Sequence, residues 1–428
     1  MPALYICAMK IFKFGGASVN SVERIRQIPA ILRPYAGEKL LIVISAMGKT
    51  TNALEKVAEA FYNGRREEAL HLFGQIKESH LTTAKYILVR NYLAAEAQLR
   101  DFFTEVEWLL HDKPVRDYDY YYDQIVCIGE LLSTSIMSAF LAESGIGNQW
   151  VDVRDIFRTD ANFRDAAIDL PYTGRKIRED ILPLFAEDSI VVTQGFIGAT
   201  ADNESTTLGR EGSDYTAAVF ANLLDAESLT IWKDVVGVMN ADPKQFPEAV
   251  VLQELNYDEV IEMAYYGAQV IHPKTIKPLQ NKGIPLYVKC FLDPSLPGTI
   301  IHNQAVKGLP PIIVLKEEQA LVHLHSRDFS FVGETHTARL YDLFGQVRVK
   351  PNLMQSGAIS LQVCVDDRPA RLERLALAAS ELFDVQVERG LTLLTIRHYD
   401  AAVLGKLAAG RTEVLRQQTQ QTVQVLLR

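Results

Sequence analysis

Short apolar runs recur along the chain at residues 11–14, 40–44, 190–193, 229–232 and 285–288, with helical stretches between them, and several are apolar almost throughout. A strand points successive side chains to opposite faces, so a run that is apolar on both faces needs cover on both. This texture predicts an α/β domain with a mostly parallel sheet between helical layers. From Asn52 to about Asp123 the spacing changes to three and four residues, as in Ala53, Val57, Ala60 and Phe61 and again in Leu93, Leu99, Phe102, Phe103 and Val106, which predicts a helical insertion over about 53–123. The stretch Lys307-Gly308-Leu309-Pro310-Pro311 cannot continue regular structure and marks a boundary, giving domains at 1–308 and 309–428. Beyond it, short alternating strands at 320–324 and 359–365 surround helices at 334–344 and 368–383. A second unit follows the same order, with a strand at 391–396, a helix at 401–409 and a hairpin over 414–427. Two small α+β repeats of this size suit an effector or a partner subunit; a dimerisation domain without a ligand is the plainer alternative.

Composition narrows the possibilities. A length of 428 residues allows two or three domains with ample core. A net charge of -9, with the charges interspersed, speaks against nucleic acid or an anionic membrane as a main partner. Cys7, Cys127, Cys290 and Cys364 lie apart in apolar surroundings, as buried reduced thiols in a reducing cytosol would. No uninterrupted apolar run reaches membrane-span length, and the first residues lack the charge-then-apolar pattern of a signal peptide. The chain is expected to be soluble and cytoplasmic.

Chemistry concentrates in five places. In Lys10-Ile11-Phe12-Lys13-Phe14-Gly15-Gly16 a strand delivers a lysine to its end and two glycines follow, which would let backbone N–H groups approach a phosphate; an ordinary turn uses the same residues. Asn20 and Glu23 have the spacing of a capping box, which would place a helix dipole nearby. Thr207-Leu208-Gly209-Arg210-Glu211-Gly212-Ser213-Asp214 precedes an apolar helix, so Arg210 could grip a carboxylate or phosphate in two-pronged fashion and Asp214 could accept from lysines or hold a metal-bound water; a capped helix with an exposed arginine is the plainer alternative. The run 43–52 ends in Gly48-Lys49-Thr50, but Val43 stands where a Walker A loop needs its first glycine; Ser45 and Thr51 are better read as hydroxyls at a strand's carboxyl end or as caps. Glu130 follows Gly129 at a helix start, a place that the dipole alone would explain. The stretch 232–244, with Lys233, Asp234, Met239 and Lys244, suits a nucleotide pocket or a solvated turn. His272 has no second ligand at metal spacing and reads as structural, and no metal-binding cluster is evident.

These elements, in this order, resemble the aspartate kinases of the amino-acid kinase family over nearly the whole chain from Lys10. Lys13-Phe14-Gly15-Gly16-Ala17-Ser18-Val19 is similar to the family's KFGGTSV with Ala17 for threonine, and 209–214 is similar to GRGGSD with Glu211 for glycine. Residues 192–196 and 268–273 carry further similarity, and the tail resembles paired ACT modules. The resemblance implies a three-layer αβα kinase domain with C-terminal ACT-like repeats, and ATP-dependent phosphorylation of the β-carboxylate of L-aspartate with Mg²⁺ between the phosphates. It implies that Lys13, Phe14, Gly15 and Gly16 hold the nucleotide and that Lys13 neutralises the migrating phosphoryl group. Ser45, Thr51, Glu130 and Arg210 would bind aspartate, Glu130 taking its ammonium and Arg210 a carboxylate, while Asp214 orients the lysines. Lys233, Asp234, Met239, Lys244 and Lys289 would line the nucleotide site. A homodimer or larger homo-oligomer, with lysine or threonine as effector at the ACT-like region, is also implied.

Three departures stand out. Glu211 adds a carboxylate beside the phosphates and would need a partner, for which Lys233, standing where many relatives have threonine, is a candidate. Asn352 lies about where lysine-sensitive relatives have an aspartate, and the second module ends after its hairpin, shorter than the pattern. The rival readings are another kinase of the same fold and a non-catalytic amino-acid sensor.

Overall fold

The computed structural model describes residues 9–186, 189–327 and 331–428, so Cys7 lies outside the described residues. The chain divides into two compact units. The first runs to Val238 and adds Val251–Ile261 and Ile271–Val306; the second takes Met239–Val250, Glu262–Val270 and Lys307–Arg428. The sequence reading placed one boundary near 308, whereas the second unit also takes two short segments from within the first.

The first unit is built on strands β1 (Met9–Phe14), β2 (Lys39–Ile44), β3 (Gln149–Val151), β4 (Ile190–Gln194), β5 (Ile197–Ala199), β6 (Ser205–Thr207), β7 (Ser228–Lys233), β8 (Glu254–Asn256), β9 (Leu286–Cys290) and β10 (Thr299–His302). Among the described residues, eight of them form one sheet in the order β3-β4-β2-β1-β7-β9-β10-β8. All neighbours are parallel except β9 and β10. Ile11, Phe14, Leu40–Ile44, Val191, Val192, Leu229 and Ile231 are fully buried, as runs apolar on both faces require. β5 and β6 form a separate antiparallel hairpin.

Because β1, β2, β4 and β7 are parallel and in register, their carboxyl ends lie along one edge of the sheet. That edge therefore carries Gly15 and Gly16, Ser45 and Ala46, Gly195 and Phe196, and Lys233 and Asp234. Open α/β sheets place their ligands at such an edge.

The helical insertion is longer than expected. It comprises helices Thr50–Tyr62, Arg66–Ile87, Tyr92–His111, Tyr118–Val126 and Ile128–Glu143. Val57, Ala60, Phe61, Leu99, Phe102, Phe103 and Val106 are buried as predicted, but Leu54 rather than Ala53 faces inward, and Leu93 is exposed. The continuous helical stretch Tyr118–Glu143 is long and apolar enough in composition to cross a membrane, a feature the sequence reading missed. Its most apolar window is 78% buried inside the unit, which makes it a core helix.

The second unit holds β11 (Ile312–Ser326), β12 (Pro351–Ser356), β13 (Ser360–Asp366), β14 (Phe383–Arg397), β15 (Glu413–Gln418) and β16 (Thr422–Leu427), all antiparallel in the order β12-β13-β11-β14-β16-β15. Helices Glu334–Val347 and Pro369–Ala379 belong to the first α+β repeat and Ala401–Ala408 to the second. The helix expected to reach residue 383 stops at Ala379, and Phe383 opens β14. β11 and β14 are each 15 residues long and shared between the repeats. Residues 319–326 of β11 pair with 383–391, and residues 312–316 pair with 393–397, with the register shifting between. Ile313 and Leu315 pack on the cluster of Leu394, Ile396, Leu404, Val423 and Val425. The strand that the second repeat lacks after its hairpin is thus supplied by the start of β11.

Candidate active site

Lys13 stands one residue from the end of β1, the strand between β2 and β7. Its ammonium meets Asp214 Oδ1 at 2.5 Å, and both side chains are at least nine-tenths buried. Asp214 sits in the first turn of helix Gly212–Leu223. Burial pushes its carboxyl up, but Lys13 and then Lys233, whose Nζ is 3.9 Å from Oδ2, outweigh this and hold it below the usual carboxylate range.

The two glycines after β1 serve close approach rather than unusual backbone angles. Gly15 is extended at φ -75°, and a Cβ there would sit 3.4 Å from Lys13 Nζ. A Cβ on Gly16 would meet Ala46 O at 2.8 Å, because the loops after β1 and β2 touch: Gly48 N–H donates to Gly16 O and Ser45 N–H to Phe14 O. Residues 16–19 form a short 3₁₀ turn. The cap that follows is Ser21, whose hydroxyl accepts from Arg24 N–H, and not Asn20; its helix spans only four residues and supplies no substantial dipole.

Beside this grip lies a cavity of about 430 Å³ bordered by Lys13, Gly16 and Asp214 and by Ser45, Thr51, Glu130 and Arg210. Glu130 is buried at the start of helix Ile128–Glu143, with Oε1 accepting from Ala46 N–H at 3.3 Å and Oε2 without a partner. Burial raises its pKa to about 8, which favours a neutral carboxyl at pH 7. Gly129 makes this placement possible, since a Cβ there would crowd Ala46 and Leu54 at 3.1 Å. Arg210 is exposed and has no protein partner among the described residues.

The loop that carries Arg210 is tightly made. Gly209 (φ 75°) and Glu211 (φ 54°) both adopt left-handed backbone, natural for glycine and strained for glutamate. Glu211 Oε2 accepts from His272 N–H at 2.9 Å, so its carboxylate is tied to backbone and Asp214 is the carboxylate that Lys233 approaches. His272 in turn caps helix Pro273–Gln280 by accepting from Lys274 N–H, a structural part as expected.

Several cavity residues were not foreseen. Asp123 is fully buried and accepts from Arg164 N–H, Thr207 N–H and the Thr207 hydroxyl at 2.7–3.0 Å, while burial raises its pKa to about 6 against those bonds. It fixes β6 and residue 164 at the cavity, which Tyr122, Arg164, Phe196 and Thr207 also border. The tyrosine-rich run 118–122 was the only local signal. Other candidates fall elsewhere. The Phe14 ring is buried and stacks on Trp232, so only its backbone remains for a ligand. Lys289 Nζ lies 5.8 Å from the Trp232 ring centre, and Asp234 is exposed. Met239 and Lys244 belong to Met239–Val250 in the second unit, where Lys244 N–H closes a turn on Asp242.

A lysine–aspartate pair at a sheet edge, beside a cavity with one buried carboxyl and one exposed guanidinium, can hold an anionic group next to a small molecule that carries both charges. Residues 8–290 match the profile described as "Amino acid kinase family". The chain belongs to that family. Within this family the chain is 30% identical over 396 residues to the lysine-sensitive aspartokinase 3 of Escherichia coli, covering 90% of this chain and 86% of that one. In structure it is similar to E. coli aspartokinase III in complex with aspartate and ADP, with TM-score 0.81, 27% identity, and 98% and 96% of the two chains covered. It is also similar to the same enzyme in complex with lysine and aspartate, with TM-score 0.80, 27% identity, and 98% and 95% covered.

Proposed function

We propose that this amino acid kinase family member transfers the γ-phosphoryl group of ATP to the β-carboxylate of L-aspartate, giving 4-phospho-L-aspartate and ADP. The observation that carries the reading is the buried, unpartnered Glu130 Oε2 and the exposed Arg210 guanidinium on one cavity, set beside the Lys13–Asp214 pair. The ammonium of aspartate pairs with Glu130, which ionises as it binds, and the α-carboxylate lies on Arg210. Ser45 and Thr51 supply hydroxyls at the same wall. A β-carboxylate is already an anion at pH 7, so the chemistry needs no strong base. One of its oxygens attacks the γ-phosphorus, the bond to the bridging oxygen breaks, and ADP leaves with the electron pair. The obstacle is repulsion between anions, and Lys13 relieves it while Asp214 keeps the ammonium pointed into the site.

Among the described residues no group of three or more His, Cys, Asp or Glu could cage a metal. Mg²⁺ enters this reading as the companion of the nucleotide phosphates. The α+β repeats of the second unit are read as ACT-like modules that take an amino-acid effector, lysine by similarity to the E. coli enzyme, in a cytoplasmic homodimer. There Asn352 donates to Gln319 and Asp366 and accepts from Lys316, a polar cluster between β11, β12 and β13 that supports recognition of a charged small molecule.

The test is ATP turnover with aspartate, glutamate or UMP as acceptor, trapping any acyl phosphate with hydroxylamine. Trapped hydroxamate with aspartate alone is expected; none with aspartate overturns the reading. Addition of lysine or threonine then tests the effector.

A further inference from the structure

Arg164 is not part of the motifs, yet it borders the cavity that holds Arg210. Its backbone has φ 70°, a conformation that glycine adopts freely and arginine adopts under strain. The strain is maintained from outside the loop, since the buried Asp123 carboxylate accepts Arg164 N–H at 3.0 Å. The side chain is also fixed. Its guanidinium lies 4.4 Å from the Tyr122 ring centre and 5.6 Å from that of Tyr118, and one terminal nitrogen donates to Asp119 at 3.0 Å. A glycine would satisfy this backbone, and an arginine needing only solvent would not be braced by two rings and a carboxylate. The other terminal nitrogen lies 4.0 Å from Glu55 Oε1, an ion-pair approach beyond hydrogen-bond reach, so this nitrogen and Nε keep donors for a ligand.

An amino acid with two carboxylates brings two anions into a cavity where Arg210 can hold one. We propose that Arg164 is the second carboxylate-binding residue, holding the side-chain carboxylate of the acceptor and so selecting a dicarboxylic amino acid over its neutral amide. The assignment rests on the aspartate reading above. The planar fork fixes the orientation of the carboxylate and leaves a further lone pair on one oxygen to attack, whereas the Lys13 ammonium acts as a point charge on the phosphoryl group.

The experiment compares wild type with Arg164→Gly and Arg164→Lys. Glycine removes the side chain and relieves the backbone, so its thermal midpoint equals or exceeds that of wild type and loss of fold does not confuse the result. In Arg164→Gly the KM for aspartate rises about tenfold or more, one charge-assisted bond, while the KM for ATP stays within about twofold. Arg164→Lys recovers part of the loss. The decisive readout is the ratio of binding constants for aspartate and asparagine, measured by calorimetry, which falls by about tenfold in Arg164→Gly. An unchanged ratio and KM overturn the role of Arg164 and leave the aspartate reading standing. Failure of the wild type to phosphorylate aspartate overturns that reading instead.

Discussion

Glu130 shows how one residue ties pH to function. Its folded pKa, pushed up to about 8 by burial, lies above the ordinary glutamate value, so below pH 8 the neutral form dominates. An ammonium group needs the ionised form, and binding must then expel a proton. The apparent KM for aspartate is therefore expected to fall as pH rises from 6 to 8 and to level off above, in steady-state kinetics across that range. Glu130→Gln should give a high KM that is flat over the same range. The stability sign is opposite: a raised carboxyl pKa favours folding below the unfolded value and loses that contribution as pH rises through 8. Glu130→Gln should therefore melt higher than wild type at pH 8, with a gain at pH 7 on the order of 3 kcal/mol. Lys13 is the sharper test of chemistry. Lys13→Ala removes the charge that offsets phosphoryl repulsion and should lower kcat by about 10²-fold or more, with wild-type turnover sinking its role. Lys13, Glu130 and Arg210 were legible in the sequence because each sits on a short segment whose glycines announce a tight approach. Asp123 and Arg164 were not, because their meaning arises only when residues 41 positions apart meet.

At the scale of elements, helix Tyr118–Val126 acts as a staple. Asp123 accepts from residues 164 and 207, and its neighbour Gln124 accepts from Ser205 N–H and donates to Ser205 O. Asp123→Ala would leave three donors without an acceptor and loosen β6, which Gln124 alone would then hold to the helix. A loss of about 2–4 kcal/mol in stability is expected, read as a lower thermal midpoint together with a raised aspartate KM. A change in one without the other would separate the staple from the site. The β5–β6 hairpin that it holds escaped sequence reading because strands of three residues are too short to display alternation. The length of β11 was hidden differently. Its register shifts near Gln319 change which face each residue meets, so its two halves read as unrelated segments and only residues 320–324 stood out. The sheet strands of the first unit were legible because burial on both faces leaves them uniformly apolar.

For the whole molecule, the consequence of the two-unit division is that the chain passes between units at 238/239, 250/251, 261/262, 270/271 and 306/307. A single boundary at the proline pair, the expectation from the sequence, would let the first unit be cut free there. The excursions rule this out in physical terms, because they are bonded into the second unit: Ile313 N–H donates to Asn240 O at 2.7 Å, Asn240 donates to Pro311 O at 2.9 Å, and Arg397 pairs with Glu262 at 2.9 Å. A chain ending at Val306 would leave Met239–Val250 and Glu262–Val270 without these partners while keeping them covalently within the sheet domain. Such a chain is expected to melt well below the full protein and to lose kinase activity together with its fold. By the same connectivity, the second unit takes segments that begin six residues after the end of β7 and midway along helix Tyr257–Tyr266, so a ligand that alters the second unit would have several covalent links to the first. Thermal melts and activity of the two chains decide the matter. A truncated protein that melts like the full chain and turns over aspartate normally would show that the excursions carry neither stability nor signal.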